Sequence, residues 1–313
     1  MKKHILLDCD PGHDDAIAML LAARHPDIDL EAVIAVAGNQ TVEKTSLNAR
    51  KVFTLAGVSE IPIARGMDRP MMRDLRVAAD IHGASGLDGP KLPKPAMPLV
   101  AQHGVDLIIE RVLAAKDEIT LVATGPLTDV AMAMRREPRI VPKIEQIVLM
   151  GGAINFGNTT PAAEFNIYVD PEAAHVVFSC GRPLVMIGLD VTHTVLATEE
   201  VRARIRALGS PVGHLVDDLL GFFAGTYKNV FGFDAPPLHD PCTVAYVIDP
   251  TLFETKPMHV AIELHGEHTL GRTVCDVFGV TGLAPNAEVA VAAEVSRFWD
   301  LLIETLARYP TKG

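Results

Sequence analysis

Short runs of apolar, often β-branched residues recur along the chain. Each is stopped by glycine, proline or an acid, and most are followed by residues with helical spacing. Ile5-Leu6-Leu7 opens the series as a buried strand, and Ala16, Ile17, Met19, Leu20, Leu21 and Ala23 continue it as a well-buried helix. Leu30 to Ala37 predicts a second strand, apolar throughout as parallel strands buried on both faces are. A helix capped by Thr41 and ended by Gly57 comes next, and Ile61 to Ala64 reads as a short edge strand. The rhythm resumes with a helix over 105–115, a strand over 119–124, a helix over 128–136 and a strand over 144–150. Beyond it the pattern predicts a helix over 171–178, with Pro171 in its first turn, and a strand over 184–189. Helices over 199–207 and 211–223, strands near 259–263, 273–277 and 288–292, and a closing helix over 295–306 complete the series.

Three stretches interrupt it. From 65 to 99 the periodicity is lost among Pro70, Pro90, Pro93, Pro95, Pro98, Gly83, Gly86 and Gly89, and a loop of that length is usually functional or mobile. A second polar loop covers 153–166, and a Gly/Pro-rich one, 232–237, precedes His239-Asp240-Pro241.

Strands alternating with helices predict an α/β fold: one doubly wound, mainly parallel, Rossmann-like sheet in a single domain over 1–313. Such sheets bind ligands beyond the carboxyl ends of their strands. Here those ends carry Asp8 and Asp10, Asn39, Thr124, the Gly151 to Asn166 loop, and Asp190 with His193.

Composition narrows the partners. With 313 residues and 49% hydrophobic content the chain can bury a large core, and a formal charge of -11 argues against a nucleic-acid partner. Cys9, Cys180, Cys242 and Cys275 are far apart and signal neither a zinc site nor a disulfide framework, so reduced thiols are expected. No signal-peptide pattern opens the chain and no run approaches a membrane span, which points to the cytoplasm with no membrane partner.

The chemistry concentrates in Asp8-Cys9-Asp10-Pro11-Gly12-His13-Asp14-Asp15-Ala16, on a strand-to-helix turn. So much like charge calls for a counter-ion, and clustered carboxylates suit a hard cation, Ca²⁺ or Mg²⁺. An isolated acidic pair here would read as a solvated turn with Asp14 as a helix cap; four acids around Pro-Gly favour the metal. Asp8 and Asp10 leave the strand on one side, whereas Asp14 and Asp15 diverge by about 100°, so one can face a metal and the other a substrate. A cation on Asp10 and Asp15 would acidify a bound water, with Asp10 placed to take its proton. Asp14, Asn39, Glu164 and Asn166 are of the types that grip sugar hydroxyls, although each alone also suits a cap or turn. His239 and His82 can protonate a leaving group, and Phe156, Phe165, Tyr227 and Phe231 are candidates to stack on a base. Serine-hydrolase, P-loop and simple dinucleotide motifs are missing.

The nine-residue stretch from Asp8 to Ala16 resembles the signature of the inosine/uridine-preferring nucleoside hydrolases. Val36 to Thr41, Ile81-His82-Gly83, Thr124 to Thr128, Val148 to Gly152, Ala163 to Ile167 and His239-Asp240-Pro241 are similar to further family blocks, in the family's order. The resemblance implies an enzyme that hydrolyses the N-glycosidic bond of ribonucleosides, with Ca²⁺ at the bottom of the site. It implies Asp10, Asp15 and Asp240 as side-chain calcium ligands, Thr124 as a ligand through its carbonyl, and Asp10 as general base on the calcium-bound water. The resemblance also implies that Asp14, Asn39, Asn158, Glu164 and Asn166 meet the ribose; Phe165 and Tyr227 are expected near the base from their aromatic chemistry alone, since the 227–237 loop matches no family block. His239, with His82 as a second, would assist the leaving base, a combination that leans towards pyrimidine or broad specificity. A homotetramer or dimer is the assembly the resemblance implies. Two rivals remain at this level. A haloacid-dehalogenase-type phosphotransferase also opens on Asp-x-Asp but would carry a hydroxyl residue where Pro11-Gly12 stands; a calcium-stabilised nucleoside sensor would bind without cleaving.

Overall fold

The structure, a computed structural model, describes residues 2–116 and 118–311, so positions 1, 117, 312 and 313 of the expected 1–313 span lie outside the described residues. The described strands are β1 (Lys3–Cys9), β2 (Ile28–Ala35), β3 (Ile63–Arg65), β4 (Ile119–Ala123), β5 (Ile144–Met150), β6 (Leu184–Ile187), β7 (Phe253–Met258), β8 (Val260–Ile262), β9 (Thr273–Cys275) and β10 (Ala287–Ala293). Eight form one sheet in the order β3-β2-β1-β4-β5-β6-β10-β7, while β8 and β9 pair antiparallel in a separate ribbon. Within the large sheet every pairing is parallel except β10 with β7. The expected α/β, doubly wound, mainly parallel architecture is the one the chain adopts.

Alternation along β1 explains why its sequence is apolar throughout. Ile5, Leu7 and Cys9 pack on one face beneath helices His13–Arg24, Pro211–Phe231 and Val295–Leu306. Leu6 turns to the other face, with Ala32 and Ile34 of β2, beneath helices Gly104–Ala114, Thr128–Arg136 and Pro171–Phe178. Both faces are covered, so neither can carry a polar stripe.

Strand order also fixes where a ligand can enter. The chain steps outward from β1 through β2 to β3, then restarts on the opposite side of β1 with β4, β5 and β6. Between β1 and β4 the flanking loops therefore part, and a crevice opens at their carboxyl ends. Asp10 follows β1 and Thr124 follows β4; the Thr124 amide donates to the Asp8 carbonyl at 2.8 Å.

The structure corrects several boundaries. Strand β7 was not expected, because Glu254, Lys256 and Pro257 disguise it; an edge strand paired on one side tolerates such residues. The helix expected to stop at Phe223 runs to Phe231 and is closed by Gly232 at φ 75°, so 227–231 is helical and only the residues after it are loop. Short helices, Ala79–His82 and Phe165–Val169, interrupt the 65–99 loop and close the 153–166 loop. β6 ends at Ile187, and Leu189–Thr192 forms a helical turn in place of the strand's last residues.

Candidate active site

The acidic turn is held by hydrogen bonds that converge from three strand ends. Asp15 Oδ2 accepts from the Gly12 amide at 3.0 Å, and its Oδ1 accepts from the Asp10 amide at 3.2 Å and from Thr124 Oγ1 at 2.8 Å. Asn39, just past β2, donates its amide to Asp10 Oδ2 at 2.6 Å and its Nδ2 to Asp10 O and Asp15 Oδ2, both at 3.2 Å. Asp10 Oδ1 is buried with no hydrogen-bond partner among the described residues. A Cβ on Gly38 would come 2.1 Å from Asp10 Oδ2 and one on Gly125 would come 2.8 Å from Oδ1, so glycine lets both strand ends close over this carboxylate. Asp240 arrives from the opposite end of the chain, immediately before helix Pro241–Ile248.

Asp14, Asp15 and Asp240 are all buried and each offers an oxygen within 4.8 Å of the others. This carboxylate triple includes Asp14, expected at the ribose, while Asp10 is coupled to the group by the charge of Asp15. Burial raises all four: Asp10 and Asp240 well above the carboxylate range, Asp15 upward, and Asp14 to about 7. The charge of Asp15 adds to the rise at Asp10 and Asp14, and that of Asp14 to the rise at Asp240. Four carboxyls with so little water need either protons or a cation between them. An all-oxygen donor set with an orphaned Asp10 Oδ1 fits a hard divalent cation. The Thr124 carbonyl accepts from Asn166 Nδ2 at 2.8 Å and keeps a second lone pair for such an ion.

Above this floor lies a cavity of about 140 Å³. Asp14, Asn39, Asn158, Glu164, Phe165, Asn166 and Tyr227 all line it, together with His82, His239, Thr124 and Asp240; Asp10 and Asp15 sit beneath its lining. The 153–166 loop is shaped by its own polar groups. Glu164 caps helix Phe165–Val169, accepting from the Asn166 amide at 2.9 Å and the Ile167 amide at 3.2 Å, and also accepts from Gly152 N at 2.9 Å. Despite these donors, burial pushes its carboxyl up to about 7. Asn158 Oδ1 accepts from the Phe165 amide at 2.9 Å, and Asn166 Nδ2 donates to the Thr124 and Met150 carbonyls.

Two histidines flank the cavity, each braced from behind. His82 Nδ1 lies 3.1 Å from His13 Nδ1, and His13 Nε2 donates to the Asp88 carbonyl at 2.9 Å. The His13 ring stacks on Phe222 and Phe223; burial holds His13 down to about 4 and His82 well below the usual histidine range. On the other side, Tyr227 Oη and His239 Nε2 are 2.7 Å apart, and His239 Nδ1 is 2.7 Å from Thr192 Oγ1. Burial again lowers His239 strongly and raises the Tyr227 hydroxyl. Phe231 also lines the cavity, whereas Phe156 is 39% exposed and tilts against His193.

Asp190 and His193, expected past β6, stay out of the cavity lining. Asp190 fastens the neighbouring loop by accepting from Ile154 N at 2.6 Å and Asn155 Nδ2 at 2.7 Å. Sequence reasoning missed His13, Thr192, Phe223 and Asp129. Thr192 lay near a strand end and was open to the address rule; the other three turn inward through packing that no spacing records. Asp129 meets Asp8 under the floor, where burial raises Asp8 well above its ordinary value and Asp129 to about 7.

A family model described as inosine-uridine preferring nucleoside hydrolase matches residues 5–300. The chain is 48% identical over 306 residues to the pyrimidine-specific ribonucleoside hydrolase RihA of Citrobacter koseri, covering 97% of this chain and 98% of that one. Among solved structures, the purine-preferring ribonucleoside hydrolase from Gardnerella vaginalis superposes with a TM-score of 0.91 at 33% identity, covering 97% of this chain and 98% of that one. A plant nucleoside hydrolase superposes with a TM-score of 0.90 at 32% identity, covering 98% and 100%. The chain belongs to the inosine-uridine preferring nucleoside hydrolase family.

Proposed function

We propose that this protein hydrolyses the N-glycosidic bond of ribonucleosides to ribose and free base, with pyrimidine ribonucleosides preferred and Ca²⁺ in the acidic floor. The observation that carries the reading is the convergence of Asp10, Asp14, Asp15 and Asp240, all buried, beneath a cavity lined by amides and histidines. Asp10, Asp15, Asp240 and the Thr124 carbonyl would hold the ion, with Asp14 beside them. When bound, the cation supplies Lewis acidity that makes water a better nucleophile near neutral pH and offsets the buried negative charge.

Asp10 takes the proton of the attacking water through Oδ1, because Oδ2 is tied to the Asn39 amide. Asp14, Asn39, Asn158, Glu164 and Asn166 orient the ribose by its hydroxyls. As the glycosidic bond breaks, the sugar approaches an oxocarbenium ion, and carboxylates and amide oxygens around it favour that positive charge. The departing base gains electrons and needs a proton. His239 with Tyr227, and His82 as a second histidine, would assist it, and Phe165 and Tyr227 would meet its ring; all four line the cavity.

The likeness to a pyrimidine-specific relative supports the base preference. Unpaired Cys9 and Cys242, both buried, support a reducing, cytoplasmic setting, and residues 1–313 are read as one unit. A homo-oligomer, dimer or tetramer, is supported by an exposed apolar loop where Phe278 is 89% and Val280 83% accessible. The test of the substrate reading is a panel of uridine, cytidine, inosine and adenosine, with free base measured by chromatography. Faster release of uracil and cytosine is expected; equal or faster release from purines overturns the preference.

A further inference from the structure

Thr192 touches no cavity surface and belongs to none of the motifs, yet it ends a hydrogen-bonded file that reaches the base side of the site. The file runs Thr192 Oγ1, His239 Nδ1, His239 Nε2, Tyr227 Oη, with both contacts at 2.7 Å. Both ring nitrogens are engaged, so the orientation of the imidazole is fixed. Which nitrogen carries the proton follows from the threonine. Its side chain is fully buried on the Leu189–Thr192 turn, and the hydroxyl makes no other hydrogen bond among the described residues.

A buried hydroxyl hydrogen left without an acceptor costs about 1–3 kcal/mol. Were Nδ1 protonated, Thr192 Oγ1 would accept and its own hydrogen would have no acceptor among the described residues. With Nδ1 as acceptor, the hydroxyl is satisfied and the ring proton sits on Nε2. Nε2–H then donates to Tyr227 Oη, and the tyrosine O–H is left to turn into the cavity that Tyr227 lines. Every donor in the file points outward, towards the place where the leaving base needs a proton.

We infer that Thr192 is a positioning residue: its hydroxyl fixes His239 with the proton on Nε2 and so aims the Thr192–His239–Tyr227 file at the departing base. The inference rests on the proposed glycosidic cleavage only for its kinetic consequence. In the transfer itself, Tyr227 gives its hydroxyl proton to the base nitrogen as the C–N bond breaks, and His239 keeps its Nε2 proton and donates it as a hydrogen bond to the tyrosinate oxygen left behind. The Thr192 hydroxyl keeps its own proton and donates to Nδ1 throughout, and water returns a proton to Tyr227 after product leaves.

The test compares Thr192→Val, which keeps shape and loses the hydroxyl, with Thr192→Ser, which keeps the hydroxyl. Nitrogen-15 spectra of the calcium-loaded, histidine-labelled full chain read the His239 tautomer directly, with His239→Gln used to assign the signals. The wild type and Thr192→Ser should show a protonated Nε2, and Thr192→Val a mixture or the Nδ1–H form. Kinetically, Thr192→Val should lose roughly tenfold more kcat on uridine than on p-nitrophenyl riboside, whose anion departs without a proton. Thr192→Ser should restore the ratio. A wild type with Nδ1 protonated, an unchanged tautomer in Thr192→Val, or equal losses on the two substrates overturns the inference. If no nucleoside is cleaved at all, the cleavage reading fails while the spectra still decide the tautomer.

Discussion

The Asn39 amide donates to Asp10 Oδ2 at 2.6 Å, while the other oxygen of the same carboxylate is buried without a partner among the described residues. In the proposed mechanism the first oxygen orients the carboxylate and the second takes the water proton. Asp10→Asn keeps size and the Asn39 contact but cannot accept the water proton. Turnover of uridine should fall by roughly 10²- to 10⁴-fold, with an unchanged circular dichroism spectrum. Near-normal turnover with calcium bound would remove Asp10 from the role of base.

If His239 and Tyr227 serve the leaving group as proposed, they matter only when that group needs a proton. His239→Ala should therefore depress kcat on uridine by about 10²-fold or more and depress it much less on p-nitrophenyl riboside. Steady-state rates on the two substrates check this, and equal losses would show that the histidine serves packing alone.

Asp8 and Asp129 are buried side by side, and among the described residues the one hydrogen-bond donor to their carboxyl oxygens is the Met67 amide, at Asp129 Oδ1. Burial raises Asp129 to about 7 in the fold, above its ordinary value of 3.8, so the folded chain binds a proton there that the unfolded chain releases. Stability from this group is complete below about pH 4 and is lost as pH rises through about 7. Asp129→Asn, which can still accept from Met67, should gain stability relative to the wild type across that window, on the order of 1 kcal/mol per pH unit. Urea melts at fixed calcium at pH 5 and pH 8 measure it; an offset independent of pH would contradict the shared proton.

The 276–283 loop is ordered by Asp276, which accepts from Val280 N and Thr281 N, both at 2.8 Å, yet it presents Phe278 and Val280 to solvent. Ordered apolar surface of this kind is typical of an interface. In a chain of net charge -11, an apolar patch such as Phe278 and Val280 is the natural place for a second copy to meet the first. Phe278→Asp should reduce the mass seen by light scattering towards that of one 33.6 kDa chain. A wild type already monomeric would refute the oligomer.

The sheet and the address of the site were legible because they depend on periodicity: buried parallel strands read as apolar runs, and their ends gather Asp10, Asn39 and Thr124. Strand β7 was hidden because an edge strand need not be apolar, as Glu254 and Lys256 show. The helical extension past Phe223 was hidden by Gly225, which weakens a helix locally; here Phe223 and Tyr227, one turn apart on a single buried face, carry the helix across it. Roles that depend on side-chain direction were the least legible. Thr192 and His239 lie 47 positions apart and His13 and His82 lie 69 apart, and only the folded chain brings each pair together.

Hydrolysis at a cation held, as proposed, by Asp10, Asp15 and Asp240 is measured most directly with uridine incubated with the full chain in phosphate-free buffer, free uracil and reducing sugar being followed together. Equal amounts of both should appear, stop on addition of a calcium chelator and resume when Ca²⁺ is restored in excess. Release that needs phosphate, persists in chelator, or yields no free uracil would contradict the account.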